Sequence, residues 1–483
     1  MVKSIKKNYI YNLLYQILSL LTPLITAPYI SRVLGAEKIG IYSYSSSIVS
    51  YFALFAAMGI AAYGQREVSY YQDDRCKRTE IFWNTEVLCI ITTFVALALY
   101  FCFLIFQKTN RFIFTLLSIT IVDVCLNISW LLSGMEEFGK IVLRNIIIRV
   151  ISVVVVFVFV HKPEDLIVYI AANMLVSVIS NISLWPLVPK FVDKIPLKKL
   201  NPFKNFKSVI SLFIPTIAVT VYTVLDKTMI GIITGSSFEN GYYEQAMKLS
   251  KMALSIITAM GTVMIPRIGF LFEKNDKEKL QYYMYRSYRF AFFLGVPMVI
   301  GLFMVSKNLV PWFYGDGYDT VIPLLKILSF LIIVIGISNV TGMQYLVPTK
   351  RQNILTLTVC IGAVVNFFAN MVLIPKYGSM GAAYASVLAE TIITIIQLWI
   401  IRKELSFFVI VKNSIKYFIA GGIMVFCLGI EAYYFSPAIL HTFIMVATGV
   451  MVYFLMLLIF RDVFFLENIK LLLLKARKTN GKI

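Results

Sequence analysis

Three charged side chains fall on one face of a single predicted helix. Glu244, Lys248 and Lys251 are spaced i, i+4 and i+7 within an apolar segment, which places them within about 60° of one another around a helix. These charges have a purely structural explanation, in which Glu244 pairs with Lys248 and Lys251 snorkels to the membrane surface. Because Lys251 lies deep inside the segment, we favour the alternative that this face lines a watery cavity.

Further ionisable residues lie inside other apolar segments. An ionisable side chain in hydrocarbon costs at least a few kcal/mol, so one that persists usually faces water or a partner. The basic ones are Arg32, Arg149, Lys227 and Lys326, and the acidic ones are Asp123, Asp226 and Glu390. Snorkelling is an alternative for the bases near segment ends, and a buried hydrogen bond between helices is one for Asp123 and Glu390. Asp226 could pair with a lysine of the helix that carries Glu244.

The embedded charges predict a cavity with a net positive lining. The bases Arg32, Arg149, Lys227, Lys248, Lys251 and Lys326 outnumber the acids Asp123, Asp226, Glu244 and Glu390. Positive charge focused in a low-dielectric cavity selects anions, and lysine or arginine is what a phosphate or diphosphate requires. We therefore expect a substrate with a phosphate-like head. The four acids are candidates to bind a coupling proton or sodium ion.

Little in the sequence points to enzymatic chemistry. The two Gly-Lys pairs, at 139–140 and 481–482, lack the following Ser or Thr of a phosphate-cradling loop. The six cysteines include no closely spaced pair, and His161 and His441 are the only histidines. This composition predicts no metal site and no cofactor. We expect a transporter and not an enzyme.

The elements that position these residues are membrane-spanning helices. The 483 residues are 59% hydrophobic and 14% charged, whereas soluble domains carry about 25% charged residues. Spanning helices need about 20 mostly apolar residues, and apolar runs broken at Lys and Arg clusters predict fourteen of them. They lie at residues 10–32, 39–64, 83–106, 112–133, 145–162, 164–188, 208–234, 241–266, 288–306, 321–346, 353–375, 379–401, 416–435 and 438–460. The predicted fold class is therefore an all-α integral membrane protein.

The distribution of basic residues predicts the orientation of these helices. If the N-terminus is cytoplasmic, the connections between spans lie alternately on the cytoplasmic and the outer side of the membrane. Of the 45 Lys and Arg, 33 then fall on or next to the cytoplasmic connections and termini, and seven on the outer connections. That asymmetry indicates that both termini are in the cytoplasm. The orientation of the helices in the membrane thus accounts for the net charge of +20. No nucleic acid is expected as a partner.

A weak internal repeat predicts the domain organisation. Pro23, Gly40, Met58-Gly59 and Arg66 in the first two spans are echoed by Pro215, Gly241, Met260-Gly261 and Arg267 in spans seven and eight. Such a repeat is typical of transporters built from two lobes. We expect two pseudo-symmetric six-helix lobes, at 1–200 and 201–405, followed by two further helices and a basic cytoplasmic tail at 406–483.

Four segments, taken in order, resemble one family over nearly the whole chain. They are PYISRVLGAEKIGIYSYS from Pro28, GYYEQAMKLSKM from Gly241, WFYGDGYDTVIPLLKIL from Trp312 and NFFANMVLIPKYGSMGAAYASVLAE from Asn366. These segments are similar to polysaccharide flippases of the Wzx type, which handle O-antigen or capsule units. This family belongs to the multidrug/oligosaccharidyl-lipid/polysaccharide exporter superfamily.

The resemblance implies a function, a partner and a location. It implies a two-lobed helical bundle that moves an undecaprenyl-diphosphate-linked oligosaccharide from the inner to the outer leaflet of the bacterial cytoplasmic membrane by alternating access. Membrane lipids and other polysaccharide-assembly proteins are the further partners expected. Arg32, Lys248, Lys326 and Glu390 lie in the matching segments, and the resemblance extends to them only a role in lining the cavity.

Three alternatives remain at this stage. A multidrug or cation antiporter of the same superfamily would carry cationic cargo, which a lysine-rich cavity repels. The lipid II flippase resembles this chain but usually has an arginine-dominated cavity. A membrane-embedded glycan polymerase or acyltransferase tends to have a long outer loop or a membrane histidine, whereas His161 and His441 lie at span ends.

Overall fold

The computed structural model describes the backbone of residues 5–470. Side chains are described for residue 18 and for residues 21–470 except 197, 215, 218 and 219. The predicted basic tail beyond residue 470 and the first four residues lie outside the described part, and so does the side chain of Pro215. Every regular element in the described part is helical.

Seventeen α-helices follow one another along the described chain. They are α1 (Ile5–Ala57), α2 (Ile60–Tyr70), α3 (Arg75–Phe106), α4 (Arg111–Leu117), α5 (Ile119–Leu126), α6 (Ser129–Gly134), α7 (Phe138–Phe159), α8 (Leu166–Ile182), α9 (Phe206–Thr234), α10 (Ser237–Thr258), α11 (Met260–Glu273), α12 (Lys277–Tyr314), α13 (Val321–Thr341), α14 (Gln352–Tyr377), α15 (Ser379–Ile401), α16 (Phe407–Tyr434) and α17 (Ile439–Ile459). A short π-helix, Gly342–Leu346, extends α13.

Twelve helical stretches among the described residues are long and apolar enough to cross a membrane. One of them, Leu21–Tyr70, covers parts of the first two predicted spans, because α1 continues through a bend at Gly35. Gly35 has φ 73° and ψ 167°, a conformation that glycine adopts without steric cost. The all-helical membrane fold predicted from the sequence is confirmed.

Outward-facing side chains show the pattern expected of a protein surrounded by lipid. On α3, Phe94 is 75% exposed and Ile105 is 69% exposed, while Thr92 and Tyr100 are buried. The Tyr100 hydroxyl donates a hydrogen bond of 2.6 Å to the carbonyl of Phe114. Apolar groups outside and satisfied polar groups inside lower the free energy of a helix bundle in hydrocarbon.

Contacts divide the chain into two compact units, Met1–Glu244 and Gln245–Ile483. In the first unit, α1 packs against α3, α5, α7 and α9. In the second unit, α12 packs against α13, α16 and α17, and α15 packs against α13 and α14. The predicted lobe boundaries near residues 200 and 405 rest on the internal repeat and remain predictions.

The segment between α8 and α9 is held against the N-terminal turns of α3. Arg75 forms a bidentate contact with Asp193, with N···O distances of 2.8 and 2.9 Å, and this hydrogen bonding lowers the pKa of the Asp193 carboxyl. The indole of Trp83 donates to the carbonyl of Asp193 at 2.8 Å. This segment is thus docked on α3 within the first unit.

The connection between α15 and α16 is held by an arginine of the second unit. Arg351 contacts both carboxylate oxygens of Glu404, at 2.7 and 2.8 Å, and Tyr345 also donates to this carboxylate. Partial burial acts to raise the pKa of Glu404, but the hydrogen bonds from Arg351 and Tyr345 outweigh it and lower the pKa. Bidentate pairs of this kind are stronger than single surface contacts.

A lowered pKa links the Glu404 contact to stability at neutral pH. We expect Glu404→Gln to lower the apparent melting temperature of the detergent-solubilised protein at pH 7. The deficit should shrink as pH falls below about 5, because the carboxylate of the native protein then becomes protonated as well. Thermal unfolding followed by tryptophan fluorescence at several pH values measures this difference.

Glu273→Gln is the matched control, since Glu273 pairs with Lys350 at 2.6 Å while both side chains are more than half exposed. Exposed pairs contribute little, so this variant should melt like the wild type at every pH. An equal loss in both variants would contradict a special role of Glu404.

Two glycines at repeat-related positions allow close packing within the first unit. A Cβ atom on Gly40 of α1 would lie 1.6 Å from the carbonyl oxygen of Ser237, and one on Gly241 of α10 would lie 2.0 Å from that of Ala36. Backbone atoms occupy both places, so no side-chain rotation relieves the clash. Small residues allow helices to approach this closely in membranes.

This contact makes Gly40→Ala destabilising. We expect the overpacked variant to lose about 1–3 kcal/mol, seen as a lower melting temperature of the solubilised protein. Gly422→Ala is the control, because a Cβ there would meet no atom within 4 Å and alanine is the better helix former. Equal melting temperatures for the two variants would show that the Gly40 contact can relax.

Candidate functional site

An ion pair joins the two helices of the α9–α10 hairpin. The Lys227 ammonium of α9 lies 2.5 Å from the carboxylate of Glu244 on α10, and each side chain is about a fifth exposed. The hydroxyl of Ser43 on α1 donates to the same carboxylate at 3.0 Å. The negative charge on Glu244 and the positive charge on Lys227 therefore offset each other.

The geometry of the hairpin explains this pairing. Gly235 ends α9 in the left-handed conformation, with φ 65°, and α10 begins at Ser237. Residues equally far from the turn on antiparallel helices face each other, which brings Lys227 opposite Glu244. This symmetry about Gly235 is visible in the sequence and could have predicted the pair.

A second contact across the hairpin involves Asp226. The buried hydroxyl of Tyr243 donates to the Asp226 carboxylate at 2.5 Å. The ion pair between Lys227 and Glu244 joins a lysine of α9 to an acid of α10. The expected pairing of Asp226 with a lysine of α10 remains a prediction. Two residues further along α9, the hydroxyls of Thr228 and Ser47 of α1 are 2.9 Å apart.

Asp123 has partners on a neighbouring helix. It lies on α5, and its two carboxylate oxygens accept hydrogen bonds from Ser177, at 2.5 Å, and Asn181, at 2.8 Å, both on α8. This arrangement matches the alternative of a buried hydrogen bond between helices. The sequence signal was the apolar context of Asp123, which identified a buried acid but not its partners.

The remaining predicted residues of the first unit are arginines. Arg32 is exposed on α1, three residues before the bend at Gly35, and Arg149 is half-buried within α7. The structure therefore places an exposed guanidinium close to the point where α1 changes direction. The substrate-binding role of both arginines remains a prediction.

In the second unit the predicted bases differ in their surroundings. Lys248 is half-buried on α10, and Lys251 is exposed in the middle of the same helix. The ammonium of Lys326 on α13 lies 5.3 Å from the ring centroid of Phe303, within range of a cation–π interaction. An exposed lysine in mid-helix is the arrangement that a cavity for anions requires.

Glu390 is the buried acid of the second unit. It lies on α15 and is 8% exposed. The Thr394 hydroxyl, one turn further on, donates to the backbone carbonyl of Glu390 at 2.8 Å. Its assignment as an ion-coupling residue remains a prediction.

The described residues offer no group of three or more His, Cys, Asp or Glu placed to hold a metal ion. All six cysteines are free thiols. The candidate site therefore offers charged side chains. Lys227 and Glu244 form an ion pair in the α9–α10 hairpin, and Lys251 is exposed further along α10.

Sequence reasoning missed the buried acid Glu86. It lies on α3 and is 1% exposed. The sequence does place its carboxyl group inside the third predicted span, at 83–106. Because Glu86 lies so close to the start of that span, the sequence did not indicate that it is buried.

Solved structures identify the class of fold. The chain superposes on an inward-closed structure of the lipid II flippase MurJ with a TM-score of 0.71, at 16% identity, covering 94% of this chain and 99% of that one. It also superposes on an inward-facing multidrug resistance MATE family transporter of the MOP superfamily with a TM-score of 0.64, at 16% identity, covering 80% and 94%. The fold is that of these transporters.

The sequence defines the family within that fold. The chain belongs to the family described as polysaccharide biosynthesis protein, which matches residues 5–272. It is 23% identical to a putative O-antigen transporter of Escherichia coli, covering 83% of this chain and 97% of the relative. It is 22% identical to a probable low-salt glycan biosynthesis flippase, Agl15, of Haloferax volcanii, covering 80% of each. The resemblance recognised in the sequence is confirmed.

The hairpin pair leads to a prediction about stability. Removing one partner of a partly buried ion pair leaves an uncompensated charge, whereas removing both does not. We expect Lys227→Met and Glu244→Gln each to cost about 2 kcal/mol, and the double variant to cost less than the sum. Melting temperatures of the four solubilised proteins measure this coupling.

The Lys204–Glu80 pair serves as the control for this cycle. Its ion-pair distance is 3.0 Å, but the two side chains are 59% and 47% exposed, so its coupling should be small. Additive losses at Lys227 and Glu244 would be evidence against an energetic pair in the hairpin.

Proposed function

We propose that this protein is a flippase that moves undecaprenyl-diphosphate-linked oligosaccharide repeat units from the inner to the outer leaflet of the cytoplasmic membrane. The family, the relatives named as an O-antigen transporter and a glycan biosynthesis flippase, and the transporter fold all support this proposal. The main structural support for this proposal is that Lys251 is exposed in the middle of α10. A charge at such a depth needs water or an anion beside it.

The proposed topology has fourteen spans with both termini in the cytoplasm. The positive-inside asymmetry of Lys and Arg supports this orientation. In the proposed cycle, the diphosphate and sugars enter an inward-open cationic cavity, and rocking of one lobe against the other exposes them outside.

We propose that basic residues predicted to lie in the membrane hold the diphosphate. Lys227 already contacts Glu244, so a diphosphate at Lys227 must displace a carboxylate. Arg32 and Lys251 are both exposed. The proposed lining of the cationic cavity is therefore kept as Arg32, Arg149, Lys248, Lys251 and Lys326, with Lys227 engaged by Glu244. Lysine and arginine bind phosphate through charge-assisted hydrogen bonds.

An apolar groove in the second unit suits the polyprenyl tail. It encloses about 380 Å³ between α12, α16 and α17. Its lining is almost entirely apolar and includes Leu294, Met298, Val305, Met424, Met445 and Val450. Burying a polyprenyl chain along such a surface keeps its methyl and methylene groups out of water while the head group occupies the polar cavity.

The energy source we propose is an ion gradient. Asp123, Asp226, Glu244 and Glu390 remain the sequence-derived candidates for binding a proton or sodium ion. Three of them have described partners: Ser177 and Asn181 for Asp123, Tyr243 for Asp226, and Lys227 for Glu244. Any ion that they bind must compete with these contacts.

A second candidate is multidrug antiport, which the fold shared with the MATE transporter supports. The charge of the cargo separates the two functions, because exposed lysine repels cations and attracts diphosphates.

The proposed function predicts where lipid-linked oligosaccharide accumulates. Deleting the gene should leave this lipid in the inner leaflet, protected from periodate added to intact cells or spheroplasts. The variant Lys248→Ala with Lys251→Ala should lower the rate of appearance outside at least about tenfold, since each lost charged contact costs about 1.5–3 kcal/mol. Lipid extraction and mass spectrometry after oxidation measure both.

The control variant combines Lys162→Ala with Lys307→Ala, which removes the same charge from two exposed lysines outside the proposed site. It should flip at the wild-type rate. Normal leaflet distribution in the deletion strain would reject the flippase, and drug-efflux assays would then test the antiporter.

A further inference from the structure

Glu86 is a buried acid whose carboxyl group lacks the partners that other buried acids have. It is 1% exposed on α3, and its Oε1 atom forms no hydrogen bond within the described part of the chain. No ion pair there involves it. By contrast, Asp226 accepts from Tyr243, and Asp462 accepts from the backbone N–H of Phe465.

Among the described residues, the titratable groups that interact electrostatically with Glu86 are thiols. The titratable side chains that face it are the thiols of Cys89, on its own helix, and Cys125, on α5. Asp123 lies beyond Cys125 and is engaged by α8. From α2, Tyr63 packs in the same cluster as Cys89. From α1, the backbone carbonyl of Ala56 faces α3, where it accepts from Thr92.

The physical consequence is that Glu86 carries a proton. An ionised carboxylate without a partner in a dry interior costs several kcal/mol, and a buried acid avoids this cost by staying neutral. A sodium ion would instead need several oxygen ligands, whereas thiols are among the nearest neighbours here. The chemistry around Glu86 therefore suits a proton.

A route for that proton lies next to Glu86. A pocket of about 300 Å³ is formed by α2, α3 and the segment before α9, and Tyr63, Glu80, Thr85, Leu88 and Lys204 are part of its lining. Thr85 and Leu88 lie within two residues of Glu86 on α3, but Glu86 does not itself line the pocket. Leu88 is 1% exposed, so a small shift of α3 or of the docked segment would bring water to the carboxyl.

We propose that Glu86 is a proton-binding site, loaded and emptied through this pocket, and that its proton couples an ion gradient to transport. The step breaks one O–H bond of the carboxylic acid, leaves a carboxylate and passes the proton to water in the pocket, and the reverse step reloads it. The proton site stands on the geometry alone, while the coupling rests on the proposed function.

The first experiment observes the proton directly. Infrared spectra of the full-length protein in lipid nanodiscs should contain the C=O stretch of a protonated carboxylic acid at neutral pH, and this band should vanish reversibly at alkaline pH. Glu86→Gln should lack the band. Glu273→Gln should keep it, because Glu273 lies on α11, outside this pocket, and its exposed carboxylate pairs with Lys350.

Three infrared results would overturn the proton site. They are a spectrum that Glu86→Gln leaves unchanged, a band that persists at every pH because the proton never exchanges, and a band that sodium removes at constant pH. Glu86→Gln is nearly isosteric, and an unchanged elution profile and melting temperature would confirm its fold.

The second experiment tests coupling in proteoliposomes. The probe is the undecaprenyl-diphosphate-linked oligosaccharide extracted from the deletion strain, and the readout is its flipping with and without an imposed pH gradient. We expect the gradient to speed flipping severalfold in the wild type and in the control variant Glu273→Gln. In Glu86→Gln the rate should be the same with and without the gradient.

The outcomes separate the two proposals. Flipping by the wild type that ignores the pH gradient, or a gradient response that survives in Glu86→Gln, overturns the coupling and leaves the flippase intact. If the wild type does not flip this lipid, the proposed function and the coupling fail together. The infrared result then still decides whether Glu86 binds an exchangeable proton.

Discussion

The lack of water in hydrocarbon is the constraint on which this structure depends. Backbone groups satisfy it by forming helices throughout the described chain. Side-chain charges satisfy it by pairing, as in the 2.5 Å contact between Lys227 and Glu244. Where helices must approach closely to make such contacts, glycine supplies the space, as at Gly40 and Gly241. The α9–α10 hairpin and its contact with α1 therefore both result from the need of polar groups in hydrocarbon to find partners within the protein.

Much of the fold could be predicted because that constraint is visible in the sequence. Apolar runs of about 20 residues broken by basic clusters fixed the helices, and α13 to α17 begin and end within a few residues of the predicted spans, except that α16 begins earlier, at Phe407. The continuity of α1 was not visible. Hydropathy falls near Gly35 where the polar residues cluster, yet the helix bends there and continues.

The candidate site was predicted as a set of residues but not as a set of contacts. Asp226, Lys227 and Glu244 were identified because they are ionisable residues inside apolar segments. Such residues are rare in membrane spans, and a hydropathy pattern makes them visible. Partners depend on how helices turn about their axes, which hydropathy does not specify. The pairing of Lys227 with Glu244 required the position of the turn at Gly235. Glu86 escaped notice because it lies only three residues inside the predicted start of its span, and hydropathy does not show which helices cover that end.

Pairing also determines which charges can respond to a cargo. A carboxylate already held at Lys227 opposes the approach of a diphosphate, so replacing it exchanges one anion for another with little net gain in free energy. An exposed lysine such as Lys251 can place its ammonium against a phosphate without displacing Glu244 from Lys227, and the gain is larger in a low-dielectric cavity. Under the proposed function, the hairpin pair therefore fixes the fold of the first unit, whereas the lysines further along α10 provide the affinity.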